Sequence, residues 1–128
     1  MVLDSSALIA IFLEEPGHER IAHKIDNASV LMVSAPTVLE TTIVLHRHMA
    51  EVATRRVEAY LAAVGAEIVP FSEAHYSSAI SAFLRFGKGR HPARLNFGDC
   101  IAYATADLAG LPLLYVGDDF SKTDIEAA

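Results

Sequence analysis

Five carboxylates follow short apolar runs or open apolar helical stretches. Asp4 comes directly after Val2-Leu3, and Asp118 and Asp119 come just after Leu113–Val116. Glu40 stands a few residues beyond Val30–Val33, and Asp99 stands in Asn96-Phe97-Gly98-Asp99-Cys100. Carboxylates brought together repel one another and stay ionised only around a cation. Hard oxygen donors with no His or Cys companion suit Mg2+ or Mn2+. If these acids converge, the chemistry is that of a divalent-metal site. Each acid also has a local explanation. Asp4 before Ser5-Ser6 reads as a helix N-cap, Thr37-x-x-Glu40 fits a capping box, and Asn96-x-x-Asp99 places an acid at N3, where the helix dipole favours it. Ser5 and Ser6 have no G-x-S-x-G elbow around them, so capping describes them better than nucleophilic catalysis.

Convergence depends on the elements that carry the acids. Residues 2–3, 30–33, 67–71 and 112–116 are brief and rich in Val, Ile and Leu, as strands covered on both faces are. Helical patterns occupy about 6–13, 19–25, 36–49, 54–64, 72–86 and 97–109. Glu15-Pro16-Gly17, Gly65 and Gly110 close helices, and Pro36 opens one. Strands separated by helices imply right-handed βαβ units. The expected fold is α/β, a three-layer α/β/α sandwich around a mostly parallel sheet of four or five strands. In such a sheet, ligands bind outside the carboxyl ends of the strands. Asp4, Asp118 and Asp119 fall there, as do the helix starts bearing Glu40 and Asp99. The segment after residue 121 has little core-forming content and is expected on the surface.

At 128 residues the chain is expected to form a single domain spanning 1–128. Ten Lys and Arg against sixteen Asp and Glu give a net charge of −6, which excludes a generally basic nucleic-acid binder. One cysteine, Cys100, excludes a disulfide framework and a Cys-rich zinc site and reads as a small buried side chain. No apolar run approaches the ~20 residues of a membrane span, and the start lacks a basic signal region, so the expected location is the cytoplasm. The histidines show no H-E-x-x-H spacing. Cationic side chains gather in Gly87–Arg94, where Lys88, Arg90, His91 and Arg94 stand between two glycines and a proline. Arg47 follows Glu40 by seven residues and shares its helical face.

Four motifs in register resemble the PIN-domain family, specifically VapC-type toxins of bacterial toxin–antitoxin pairs. These are Asp4-Ser5-Ser6-Ala7-Leu8, Ala35-Pro36-Thr37-Val38-Leu39-Glu40, Gly87–His91 through Leu95–Cys100 and on to Ala104, and Leu113–Phe120 with Thr123-Asp124-Ile125. The resemblance implies an endoribonuclease that uses Mg2+ or Mn2+. It places Asp4, Glu40 and Asp99 in an acidic pocket, with Asp4 and Asp99 nearest the metal and Ser6 as a polar neighbour. Relatives often carry one Asp where this chain has Gly117, so Asp118 and Asp119 both compete as fourth acid, with Asp119 preferred. It also implies RNA as substrate, a small VapB-type antitoxin that blocks the site, and a homodimer. Metal-bound water would attack the phosphate. Lys88, Arg90, His91, Arg94 and Arg47 are the expected phosphate contacts. Ile9, Phe12 and Leu13 are candidates for a dimer or antitoxin interface, whereas Tyr60, Phe83, Phe86 and Tyr103 read as core.

Other classes fit less well. A receiver domain needs an Asp at the end of the third strand, where Pro70-Phe71 stands, and a haloacid-dehalogenase-like phosphatase needs Asp-x-Asp, where position 6 is serine. The competing reading is a PIN-like module that binds RNA or protein without cutting, against which the retention of all three acids speaks.

Overall fold

The computed structural model describes residues 1–128. Four short parallel strands, β1 (Val2–Leu3), β2 (Met32–Ser34), β3 (Glu67–Val69) and β4 (Leu113–Leu114), form one sheet in the order β3-β2-β1-β4. Six helices connect them: α1 (Ser5–Phe12), α2 (His18–Asp26), α3 (Ala35–Met49), α4 (Val52–Ala63), α5 (Glu73–Phe86) and α6 (Phe97–Ala109). The first two crossovers step outward from β1. The third returns over the sheet to the far side of β1, and a crossover of constant hand that reverses direction places its helices on the opposite face.

Two hydrophobic cores follow from this. Leu3, Val33 and Leu114 face Leu8, Ile25, Leu45, Val57 and Leu61 of α1–α4. Val2 and Leu113 face Phe86, Cys100, Tyr103 and Ala106 of α5 and α6. Alternate strand residues therefore serve opposite cores, the arrangement of a three-layer sandwich.

Several expectations need correction. The strands are shorter than their apolar runs, and β3 is an edge strand with Glu67 and Ile68 exposed, not a strand covered on both faces. The N-cap of α3 is Ser34, whose hydroxyl accepts from Thr37 N at 3.2 Å, so Thr37 and Glu40 form no capping box. The end of the chain does more than lie on the surface. Leu113 N donates to Glu126 O, and Ala128 N donates to Leu113 O, so this segment covers the open edge of β4. Phe12 and Leu13 are partly buried against the α1–α4 core, with Phe12 edge-on to Tyr60 at 5.4 Å. Phe83 is 37% exposed and outside the core.

Candidate acidic pocket

β1 and β4 are neighbours reached by opposite crossovers, so the switch point of the sheet lies between them, and a crevice opens beyond their carboxyl ends. Asp4 stands at that opening. Its amide donates to Leu114 O at 3.0 Å, which fixes it to β4. Its Oδ2 accepts from Ser6 N at 3.0 Å and from the Ser6 hydroxyl at 2.5 Å, capping α1. Ser6 Oγ in turn accepts from Val116 N at 2.9 Å, so one hydroxyl ties the first acid to the chain leaving β4. The cap and the site are the same residue.

Asp99 repeats this arrangement on α6. Asn96 N donates to Asp99 Oδ2 at 2.7 Å, and Asp99 N donates to Asn96 Oδ1 at 3.0 Å, a reciprocal capping box. Asp4 is 4% exposed and Asp99 9%, and neither has a cationic partner. Glu40, on α3, is half-buried and closes over Gly98. A Cβ at position 98 would stand 2.7 Å from both Glu40 carboxyl oxygens, so the glycine leaves room for the acid that α3 brings in.

The electrostatics show which acids share one space. Burial pushes the Asp99 carboxyl up to about 6, opposed by the hydrogen bond from Asn96 and reinforced by Asp4, Asp119 and Glu40. Burial also raises Asp4, against the Ser6 hydrogen bonds and with help from Asp119. Glu40 is raised by burial and by Asp4, and a hydrogen bond from the Ser5 hydroxyl opposes the rise. Asp119, exposed after β4, therefore acts on Asp4 and Asp99. The backbone carbonyl of Asp118 accepts from the Ser121 hydroxyl at 2.6 Å.

The basic residues are placed in different ways. Lys88, Arg90 and Arg94 are exposed on a loop closed by Lys88 N to Leu95 O and Leu95 N to Phe86 O, both 3.0 Å. Lys88 shares a cleft with Asn96 and Phe97, at the capping box of Asp99. The ring of His91 is turned into the loop, where Nδ1 accepts from Ala93 N at 3.1 Å and the ring meets Phe86 edge-on at 5.2 Å. Arg47 is exposed in the last turn of α3, about two turns from Glu40. The sequence reading missed Ser5, Asn96 and Gly98 as parts of the site. The spacing Asn96-x-x-Asp99 was the available signal for Asn96, and nothing local marks the approach of Glu40 to Gly98.

Oxygen is the only donor type in the pocket, as a hard divalent cation requires. No three His, Cys, Asp or Glu side chains are grouped closely enough to ligate one ion as they stand. Mg2+ needs no such cage, since it keeps several waters and takes one or two carboxylates. Buried, mutually repelling Asp4 and Asp99 fit that demand.

A parallel α/β/α sandwich with buried carboxylates from separate elements near its switch point defines a domain with an acidic pocket. The chain belongs to the PIN domain family, which it matches over residues 1–126. Ribonuclease VapC36 of Mycobacterium tuberculosis is 43% identical to it over 127 residues, covering 98% of this chain and 91% of that protein. Among solved structures it is similar to Mycobacterium tuberculosis VapC20, a toxin that cleaves the sarcin–ricin loop. The TM-score there is 0.80 at 17% identity, with 99% of this chain and 97% of that one covered. It is also similar to a toxin–antitoxin complex from Klebsiella pneumoniae, at TM-score 0.73 and 18% identity, with 96% and 92% covered.

Proposed function

We propose that the chain is a VapC-type toxin, a Mg2+- or Mn2+-dependent endoribonuclease acting in the cytoplasm and restrained by a VapB-type antitoxin. The observation that carries this is Asp99, held up at about 6 in a pocket where it feels Asp4, Glu40 and Asp119 together with no cation to offset them. When bound, a divalent ion supplies a water of lowered pKa and a clamp for the phosphate.

The residues of the chain do the rest. Asp4 and Asp99 would hold the ion, each carboxylate locked at a helix N-terminus by its own cap. Glu40 and Asp119 orient the attacking water or bind a second ion, and Ser6 keeps Asp4 in register with the strand end beside it. Lys88, Arg90 and Arg94 take phosphates of the RNA strand beside the pocket, where an acidic protein needs local positive charge to hold a polyanion. Arg47 serves a more distant phosphate, and His91 shapes the loop by its bonds and ring packing.

No helix is long and apolar enough to cross a membrane. Partner binding has a surface of its own. Phe97 is 84% exposed, Leu39 61% and Ile43 54%, and together they flank a groove beside Glu40. We assign this face to a second copy of the chain in a homodimer.

RNA cleavage in Mg2+ or Mn2+, by the native protein and by Asp99→Asn, tests the proposal. Cleavage by the native chain that falls about a hundredfold in the variant supports it. Equal cleavage by both would overturn the assignment, and an inert native chain that still binds RNA would make it a binding module.

A further inference from the structure

Asp119 has no buried anchor of its own. It is exposed, it follows Gly117 and Asp118, and it enters a single turn of 3-10 helix, Phe120–Lys122. A carboxylate there keeps a fixed relation to Asp4 and Asp99 only if the segment is held from both sides. On its N-terminal side the Ser6 hydroxyl holds Val116. Phe120 is buried and lies 4.9 Å from the Tyr115 ring, which anchors the middle.

The C-terminal side is held by a cluster that the acidic pocket does not include. Tyr103 is on α6, one turn beyond Asp99 and on the same face. Its hydroxyl donates to Asp124 Oδ1 at 2.6 Å. Arg85, on α5, donates to Asp124 Oδ2 at 2.5 Å and to the Tyr103 hydroxyl at 3.5 Å, while its guanidinium lies 4.5 Å from the Phe86 ring centre. Both carboxylate oxygens of Asp124 are thus engaged, by two different helices. Thr123 Oγ1 donates to Phe120 O at 2.8 Å and accepts from Ile125 N, which stiffens the stretch between clamp and anchor. Burial and the Asp124 bond push the Tyr103 phenol up to about 12, so it keeps its proton and stays a donor throughout the physiological range.

We propose that Tyr103, Asp124 and Arg85 are positioning residues that clamp the segment after β4 to α5 and α6 and so set Asp119 against the pocket. The proposal rests on the nuclease assignment above. The same helix carries Asp99 and the clamp, so the distance from third to fourth acid is set through α6. An exposed ion pair alone contributes little, and the weight therefore falls on the tyrosine hydroxyl, which is anchored by a buried ring.

Tyr103→Phe removes only that hydroxyl and keeps the ring. Ser78→Ala is the control, because it breaks the 2.7 Å bond from Ser78 to Asp107 between the same two helices without touching the segment. Amide exchange, Mn2+ calorimetry and the kcat and KM of RNA cleavage are measured on all three proteins. In Tyr103→Phe, exchange across 117–124 should rise about tenfold while that of α1 stays unchanged. Mn2+ binding should weaken and kcat fall by about tenfold, with Ser78→Ala like the native chain. Asp124→Asn should show the same pattern. Unchanged exchange would overturn the clamp, and faster exchange with native Mn2+ affinity and kcat would reduce it to a structural tie. A native chain that neither binds Mn2+ nor cuts RNA would overturn the parent assignment and the positioning role with it, while the exchange data would still decide whether the clamp exists.

Discussion

Asp99 ionises near its ordinary value of 3.8 in the unfolded chain but at about 6 in the fold, chiefly because it is buried. The folded protein therefore holds this proton to higher pH than the unfolded chain does. The corresponding stability is fully present below about pH 4 and is lost as pH rises through about 6. Asp99→Asn removes the titration yet keeps an oxygen that can accept from Asn96 N. In metal-free buffer the variant should match the native protein at about pH 4 and exceed it by about 2 kcal/mol at neutral pH. Chemical denaturation at the two pH values measures this directly. Saturating Mg2+ should stabilise the native protein and leave the variant nearly unchanged, since only a ligand that binds the folded form adds stability. A variant no more stable than native at neutral pH would show that Asp99 is not held uncompensated. Asp4 and Glu40, raised by the same burial, contribute in the same direction, and using Asp99→Asn as the comparison isolates one carboxyl from the three.

Between elements, the contact that matters most for the pocket is the first turn of α6 against α3, where Gly98 leaves room for Glu40. Gly98→Ala puts a methyl group into that room. The atoms it would meet belong to the free end of a flexible side chain, so the helices need not move apart. Alanine also favours a helix over glycine by up to about 1 kcal/mol. The expected outcome is a protein as stable as native by thermal unfolding, with cleavage reduced because the Glu40 carboxylate has been displaced. Loss of both stability and activity would show that the helices themselves had shifted. The same contact marks the limit of what could be read beforehand. Helix positions and the parallel sheet were legible because apolar period, caps and breakers are local signals. The approach of Glu40 to Gly98, the edge position of β3 and the pairing of Leu113 with the end of the chain were not, because each depends on which elements become neighbours. Thr37-x-x-Glu40 misled for a related reason, since Ser34, one turn earlier, already satisfied the first amides of α3. Asn96-x-x-Asp99, which the sequence marks as an acid at N3, closes as a reciprocal capping box, and Asp4, Asp119 and Glu40 bear on the same carboxylate. Capping and chemistry are compatible, because a carboxylate fixed by backbone amides is preorganised for a ligand.

At the scale of the whole molecule, the surface divides unevenly. The net charge is −6, yet α3, α5 and α6 expose Leu39, Ile43, Tyr76, Ile80, Phe83 and Phe97 in one region. Two clefts of about 330 and 380 Å3 meet at Phe97 and Ile101, each lined mostly by apolar side chains. A continuous apolar region of this kind on a small domain marks an interaction surface. Self-association places it against an identical region, the isologous arrangement of a two-fold dimer. The isolated chain should therefore sediment as a dimer, and its thermal midpoint should rise with protein concentration. Leu39→Asp with Ile43→Asp puts two charges on the exposed face of α3, far from the cores. Such surface changes should alter the intrinsic stability of the folded chain by no more than about 0.5 kcal/mol each. The double variant should sediment as a monomer, with a midpoint independent of concentration. A native protein that remains monomeric at every concentration would overturn self-association and leave this face to the antitoxin. Because the α3 groove is lined by Glu40 itself, whatever covers it borders the acidic pocket, so assembly and access to the site are physically linked.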